Sequence, residues 1–252
     1  MVRILPTFDY EQALWKQGFN FIAGVDEVGR GAWAGPVVAS AVAFAPEFRI
    51  ENLECRIDDS KRLTADQREI AAQWIKKNAL AWSVGEVGVA TINRIGIGKA
   101  TAIAMRKAVL GCNQKLEVRR GNVDNEVRSE KGKSIIPLQN LHSNFPLPTS
   151  IGFLLVDAFY IPYVRGVRHN RQMPIIKGDQ KSISIAAASI IAKVYRDSLM
   201  ESLGKQFKFE KYGWGKNKGY GTREHQNEIL RNGLTHLHRV QFVETWRTKQ
   251  LA

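Results

Sequence analysis

The sequence predicts an α/β fold, a mixed β-sheet flanked by helices and followed by a helical C-terminal appendage. Two observations carry this. Apolar runs of strand length come early, the first two close enough to pair as a hairpin, and helical and extended stretches alternate after them, which is the pattern of a mixed sheet covered by helices. From Phe207 onward aromatic and basic residues alternate with glycines and then give way to helical stretches. Hydrophobic residues make up 44% of the 252 residues, enough for the core of one large domain with an appendage.

Phe19 to Val25 reads as the first strand, and the nearly continuous Val and Ala run from Pro36 to Phe44 as a buried second. Ala81 to Ala90 is expected as the third. Gly152 to Phe159, built on Phe153-Leu154-Leu155-Val156, is a short inner strand with Asp157 directly after the apolar run. Thr64-Ala65-Asp66-Gln67 has the spacing of a capping box and opens a helix that should bury Ile70, Ala71, Trp74 and Ile75. Lys99 to Leu110 is a second helix with Gly111 as its C-terminal stop, and Ser182 to Leu203 a longer third. Thr222 to Asn232, closed by Gly233, and a segment from His236 to Lys249 complete the helical tail. Residues 113–150 carry mixed charges, Pro146 and Pro148, with little periodicity. They read as an exposed insertion, either a mobile excursion or a small hairpin of its own. The expected division is a sheet domain over 1–205 and a helical part over 206–252.

A net charge of +13 and a pI near 9.9 point to a polyanionic partner, most simply nucleic acid. Cys55 and Cys112 are the only cysteines, too few and too far apart for a disulfide framework or a zinc cluster, which fits a reducing, cytoplasmic setting. The N-terminus has no long apolar stretch of the signal-peptide kind. No apolar run reaches the ~18 residues of a membrane span.

Asp26, Glu27, Asp157 and Asp179 are far apart in the chain yet similarly placed. Asp26 and Asp157 each end an apolar strand run, and Asp179 follows Met173-Pro174-Ile175-Ile176-Lys177-Gly178 just before the long helix. Carboxylates at the ends of inner strands are costly unless something positive sits beside them. Several converging on one spot are what two-metal phosphoryl chemistry needs, and hard oxygen ligands suit Mg2+ or Mn2+. Neighbouring strand residues face opposite ways, so Asp26 and Glu27 share a site only if the strand ends or bulges there. Gly29-Arg30-Gly31, directly after, allows close backbone approach to a ligand and offers a cation suited to phosphate. On the long helix Ile183, Ala187, Ile190, Ile191 and Val194 form an apolar stripe, and Ser189, Lys193 and Arg196 a second stripe fit either for a run of phosphates or for an ordinary solvated face. Tyr220, between glycines and cations, either stacks on a sugar or base or plugs a junction between parts of the fold.

The motifs, taken in order, resemble those of type 2 ribonuclease H, the ribonuclease HII family. The run from Gly24 to Gly31 with Ala34-Gly35-Pro36 matches the opening motif, and Asp59-Ser60-Lys61-Arg62-Leu63-Thr64 the next. Val156-Asp157, Lys177-Gly178-Asp179, the stretch from Ser184 to Asp197, Gly219-Tyr220-Gly221-Thr222 and His238-Arg239 follow in sequence, with 113–150 as the departure. The resemblance implies a ribonuclease H-like fold and a metal-dependent endoribonuclease. It would cleave the RNA strand of RNA–DNA hybrids and cut 5′ of ribonucleotides embedded in duplex DNA. It implies Asp26, Glu27, Asp157 and Asp179 as the catalytic, metal-binding acids with two Mg2+ or Mn2+ ions. Gly29, Arg30 and Gly31 would read the ribose 2′-hydroxyl, Tyr220 would pack on the sugar, and Lys61, Ser189, Lys193 and Arg196 would hold phosphates. A monomer is expected, without a recognisable clamp-binding motif in 242–252. The rival readings are a junction resolvase or integrase of the same superfamily, which needs no ribose reader, and a non-catalytic basic binding module.

Overall fold

A computed structural model describes residues 5–46, 48, 55–128 and 151–251, and side chains over the same ranges except 119–128 and 251. The strands are β1 (Ile22–Val28), β2 (Val37–Ala43), β3 (Ala81–Val87), β4 (Phe153–Asp157) and β5 (Gln172–Ile175). They form one sheet in the order β3-β2-β1-β4-β5. β1, β2 and β3 are an antiparallel meander, while β4 and β5 add in parallel beyond β1. β2 follows β1 through a short loop and runs antiparallel to it, while β4 returns beside β1 after the helices Val89–Ile95 and Ile97–Arg128 and runs parallel to it.

The helices are α1 (Asp9–Lys16), α2 (Ala65–Asn78), α3 (Val89–Ile95), α4 (Ile97–Arg128), α5 (Ile183–Gly204), α6 (Trp214–Asn217), α7 (Arg223–Asn232) and α8 (Val240–Leu251). One sheet face is covered by α4, whose Ala100, Ala104, Met105, Ala108 and Val109 pack with Val25, Ala39 and Ala41. On the other face α5 brings Ala187, Ile190 and Ile191 against Val42 and the α2 residues Ala71, Trp74 and Ile75. Small residues set the layer spacing. A Cβ on Gly24 would lie 2.1 Å from the Ser184 carbonyl carbon, and one on Gly85 2.1 Å from the Ala104 oxygen. The start of α5 is thereby held against β1 two residues before Asp26.

The capping box at Thr64 forms with both of its hydrogen bonds, and Thr222 caps α7 ahead of Gly233. Three local expectations are corrected. Ile70 is 59% exposed, because the buried face of α2 is set by Ala71, Trp74 and Ile75, and Ile70 falls beside it. The third strand stops at Val87, and Gly88 starts α3 where an extended run to Ala90 was expected. Gly111 does not end its helix: α4 runs on to Arg128. A Cβ at 111 would meet Ser83 Oγ at 2.2 Å, so this glycine serves close packing on β3. The expected insertion therefore begins as helix, with Asn113 and Leu116 buried and Asn113 Oδ1 accepting the Ile151 N–H at 2.8 Å. Residues 129–150 lie outside the described residues. The C-terminal helices gather around the buried Trp214, with Phe209, Tyr212, Ile229 and Val243 packed on Ala34 and on Met200 of α5.

Candidate active site

The ladder between β1 and β4 ends at Val25↔Val156, whereas that between β1 and β2 continues to Val28↔Val38. Asp26 and Glu27 thus lie on β1 past the point where β4 covers it, next to Asp157 at the end of β4. The pairing with β2 stays in register, so a bulge is unnecessary. The two side chains leave opposite faces of a strand that has lost one neighbour, and both reach the opening. Asp179 sits on the helical turn Gly178–Gln180, tied in by the Gly178 N–H donating to Asp157 Oδ1 at 2.7 Å. Asp26, Glu27 and Asp157 line a cleft of about 420 Å³ together with Ser60, Lys61, Ser189, Lys193 and Tyr220. Asp179 is buried close enough to Asp157 to feel its charge, but does not line the cleft.

Burial and mutual repulsion both disfavour ionisation of these acids. Burial, then Glu27 and Asp157, push the Asp26 carboxyl well above the usual carboxylate range, with the Ser189 hydroxyl and the Glu27 N–H pulling the other way. Burial also raises Glu27 against the opposing pull of Arg30, and Asp157 adds to the rise. Burial, Asp59 and Asp157 lift Asp179 to about 6, with Lys61 offsetting part. For Lys61 burial disfavours the ammonium, but Asp59, Asp179, Asp26 and Asp157 outweigh it and raise its pKa. Glu27 Oε2 is buried without a hydrogen-bond partner. Among the described residues no three His, Cys, Asp or Glu side chains form a ready-made metal shell. Asp26, Glu27 and Asp157 line the cleft and Asp179 does not; what Asp26, Glu27 and Asp179 share is a carboxyl raised by burial and by neighbouring acids. An orphaned carboxylate oxygen amid acids that resist ionising fits a hard divalent cation.

Around the acids, Gly29 is buried with φ +86°, a conformation that favours glycine, while Arg30 and Gly31 are exposed. Arg30 Nη1 lies 3.4 Å from Glu27 Oε1, and its guanidinium sits 5.1 Å from the centre of the Phe159 ring. A Cβ on Gly31 would meet only the Tyr220 ring, at 3.9 Å. Ser189 shares a 3.0 Å hydroxyl contact with Ser60, and Lys193 reaches the cleft while donating to Asp197 at 2.9 Å.

Arg196, expected to hold phosphate, does something else. It is fully buried and donates to the carbonyls of Pro36, Lys218 and Ala34 at 3.0, 2.9 and 3.1 Å. The Ala34–Pro36 loop and Lys218 of the C-terminal segment enclose this position of α5. Ser60 and Arg239 stand in the ordered motifs with no role attached to them. Ser60 lines the cleft, and Arg239 is buried against the glycine loop, donating to the carbonyls of Gly29, Arg30 and Gly35. The position of Arg239 in the ordered motifs was the available signal. His225 and His238 are buried and structural: His225 Nδ1 meets the Tyr220 carbonyl at 2.9 Å, and the two Nε2 atoms lie 3.1 Å apart. Burial lowers both pKa values, with His225 lowering His238 further, to about 4.

The family model for ribonuclease HII matches residues 23–144 and 147–245, running through most of the segment that motif comparison left outside. Ribonuclease HII of Caldanaerobacter subterraneus is 40% identical over 235 residues, covering 93% of this chain and 79% of its own length. Among solved structures, the PCNA:RNase HII complex from Archaeoglobus fulgidus matches with a TM-score of 0.53 at 24% identity, covering 88% of this chain and 94% of that one. Bst-RNase HIII in complex with Mn2+ matches with a TM-score of 0.58 at 18% identity, covering 93% and 70%. The fold is therefore ribonuclease H-like, and the chain belongs to the ribonuclease HII family.

Proposed function

We propose that this ribonuclease cleaves the RNA strand of RNA–DNA hybrids and cuts on the 5′ side of ribonucleotides embedded in duplex DNA, leaving 3′-hydroxyl and 5′-phosphate ends. The observation that carries the reading is the adjacency of an unneutralised acid cleft to a glycine turn with exposed backbone and a facing tyrosine. Asp26, Glu27, Asp157 and Asp179 would hold two divalent ions, Mg2+ or Mn2+, which is in keeping with the Mn2+ bound by Bst-RNase HIII. When bound, such ions supply an activated water and neutralise charge on the leaving oxygen.

The chain's own groups do the positioning. Lys61 and Lys193 flank the acids and hold backbone phosphates, and the Ser189 hydroxyl orients Asp26. Gly29 to Gly31 read the 2′-hydroxyl through the backbone, and Tyr220 packs on the sugar. Residues 206–252 act as the substrate-binding part, since they carry Tyr220 to the cleft of the catalytic 1–205. Rate then comes from alignment and charge neutralisation without a covalent intermediate. The decisive experiment compares a duplex bearing one ribonucleotide with the same all-DNA duplex, with Mg2+ and with chelator, and maps the cut. Cleavage 5′ of the ribonucleotide, abolished by chelator, is expected. Equal cutting of all-DNA duplex, or no metal-dependent product, overturns the proposal.

A further inference from the structure

We propose that Arg239 is a positioning residue for ribose recognition: it draws the carbonyls of Gly29 and Arg30 inward and so aims the next two N–H groups at the substrate. The inference rests on the reading of Gly29–Gly31 above and names the residue that sets its geometry. Arg239 Nη1 donates to Gly29 O at 2.7 Å and Arg30 O at 2.9 Å, while Nε and Nη2 hold Gly35 O at 3.0 and 2.9 Å. A trans peptide carries its C=O and N–H on opposite sides, and no cis peptide occurs among the described residues. Carbonyls turned toward Arg239 therefore turn the N–H groups of Arg30 and Gly31 away from it. Neither N–H has an acceptor among the described residues, and both residues are exposed. Tyr220 stands across from Gly31.

The guanidinium is itself fixed. The Arg239 N–H donates to Trp33 O at 2.7 Å and the Gly35 N–H to Leu237 O at 2.9 Å, which zips 237–239 along 33–35. Asn93 on α3 clamps both sides, donating to His238 O at 3.1 Å and accepting from the Val240 N–H at 3.1 Å. Arg239 is fully buried with no carboxylate in ion-pair range among the described residues. A buried cation in such a place is a poor way to gain stability compared with an apolar side chain. What it supplies is a fixed orientation of two peptide planes.

The test measures kcat/KM on a duplex with one ribonucleotide and on the same duplex with a 2′-fluoro nucleotide at that position. The proteins are wild type, Arg239→Gln and Asn93→Ala, each checked for folding by circular dichroism. Losing two aimed donors is expected to reduce the preference for the 2′-hydroxyl about tenfold in Arg239→Gln, with 2′-fluoro cleavage little changed. Asn93→Ala leaves no unpaired charge and is expected to lower the same ratio about threefold, so it carries the test if Arg239→Gln does not fold. Equal losses on both substrates in a folded variant, or an unchanged ratio, overturn the role of Arg239. If wild type cuts both duplexes alike, the ribose reading of the loop falls first, and this inference with it.

Discussion

Asp179→Asn is expected to stabilise the metal-free protein at neutral pH while disabling it. Burial, Asp59 and Asp157 raise the Asp179 carboxyl from 3.8 to about 6. An acid whose folded pKa is raised costs stability as pH climbs from the unfolded to the folded value, so the cost is absent below 3.8 and complete above about 6. Two pH units correspond to about 3 kcal/mol, and solvent screening of a carboxyl that is not fully enclosed leaves roughly half, ~1.5 kcal/mol. For a chain of this size that is about 3–6 °C in Tm. Asparagine keeps the volume and can donate to Asp59, so packing is preserved. The assay is thermal unfolding of both proteins in chelator at pH 4, 6 and 8. The two Tm values should converge near pH 4 and separate above 6, and Mg2+ should narrow the gap by binding the native site of wild type more tightly. A less stable Asp179→Asn at pH 8, or an offset independent of pH, would refute the reasoning.

Asp157→Asn is expected to lower single-turnover cleavage by roughly a thousandfold or more while duplex affinity, read by anisotropy, stays nearly unchanged, since under the proposed function the carboxylate would act through bound metal. Gly24→Ala places a Cβ 2.1 Å from the Ser184 backbone and must part β1 from α5. It should cost about 2–3 kcal/mol in urea unfolding, at the upper end for overpacking, and displace Asp26 so that activity falls as well. Tyr220→Ala should reduce cleavage at a single ribonucleotide more than it reduces affinity for all-DNA duplex, by about tenfold if one stacking contact of 1–3 kcal/mol is lost. Equal losses in both assays would remove Tyr220 from sugar recognition.

The legible parts of the chain were those whose signal is local. The Pro36–Phe44 run, the capping box at Thr64 and the glycine closing α7 depend on neighbours a few residues away, and each forms; the Phe19–Val25 strand forms three residues later, as Ile22–Val28, because pairing with β2 carries it through Asp26 and Glu27. Asp26, Glu27 and Asp157 were found because no core position tolerates an acid without a reason, and they line one cleft. What failed depended on distant neighbours. Gly111 has the residue type of a helix stop, but β3 approaches it through Ser83, and only the tertiary contact says which role applies. Arg196 has the right helical phase for a phosphate stripe, yet periodicity gives a face and not what covers it. The Ala34–Pro36 loop and Lys218 cover it.

The two buried arginines and the strained acids answer one electrostatic requirement. Arg196 and Arg239 both lie near the glycine loop, and each spends its donors on backbone carbonyls. A guanidinium aimed into the cleft instead would pair with Asp26 or Asp157, favour their ionised forms and occupy the oxygens that a divalent ion needs. The cations that do face the acids are Lys61, whose ammonium is partly desolvated, Lys193, which is tied to Asp197, and Arg30, which makes a single long contact with Glu27 and leaves Glu27 Oε2 without a partner. Carbonyl dipoles can hold a buried cation without cancelling the negative charge beside it. Positive charge can therefore shape the glycine loop proposed to read ribose without pairing off the acids proposed to hold metal.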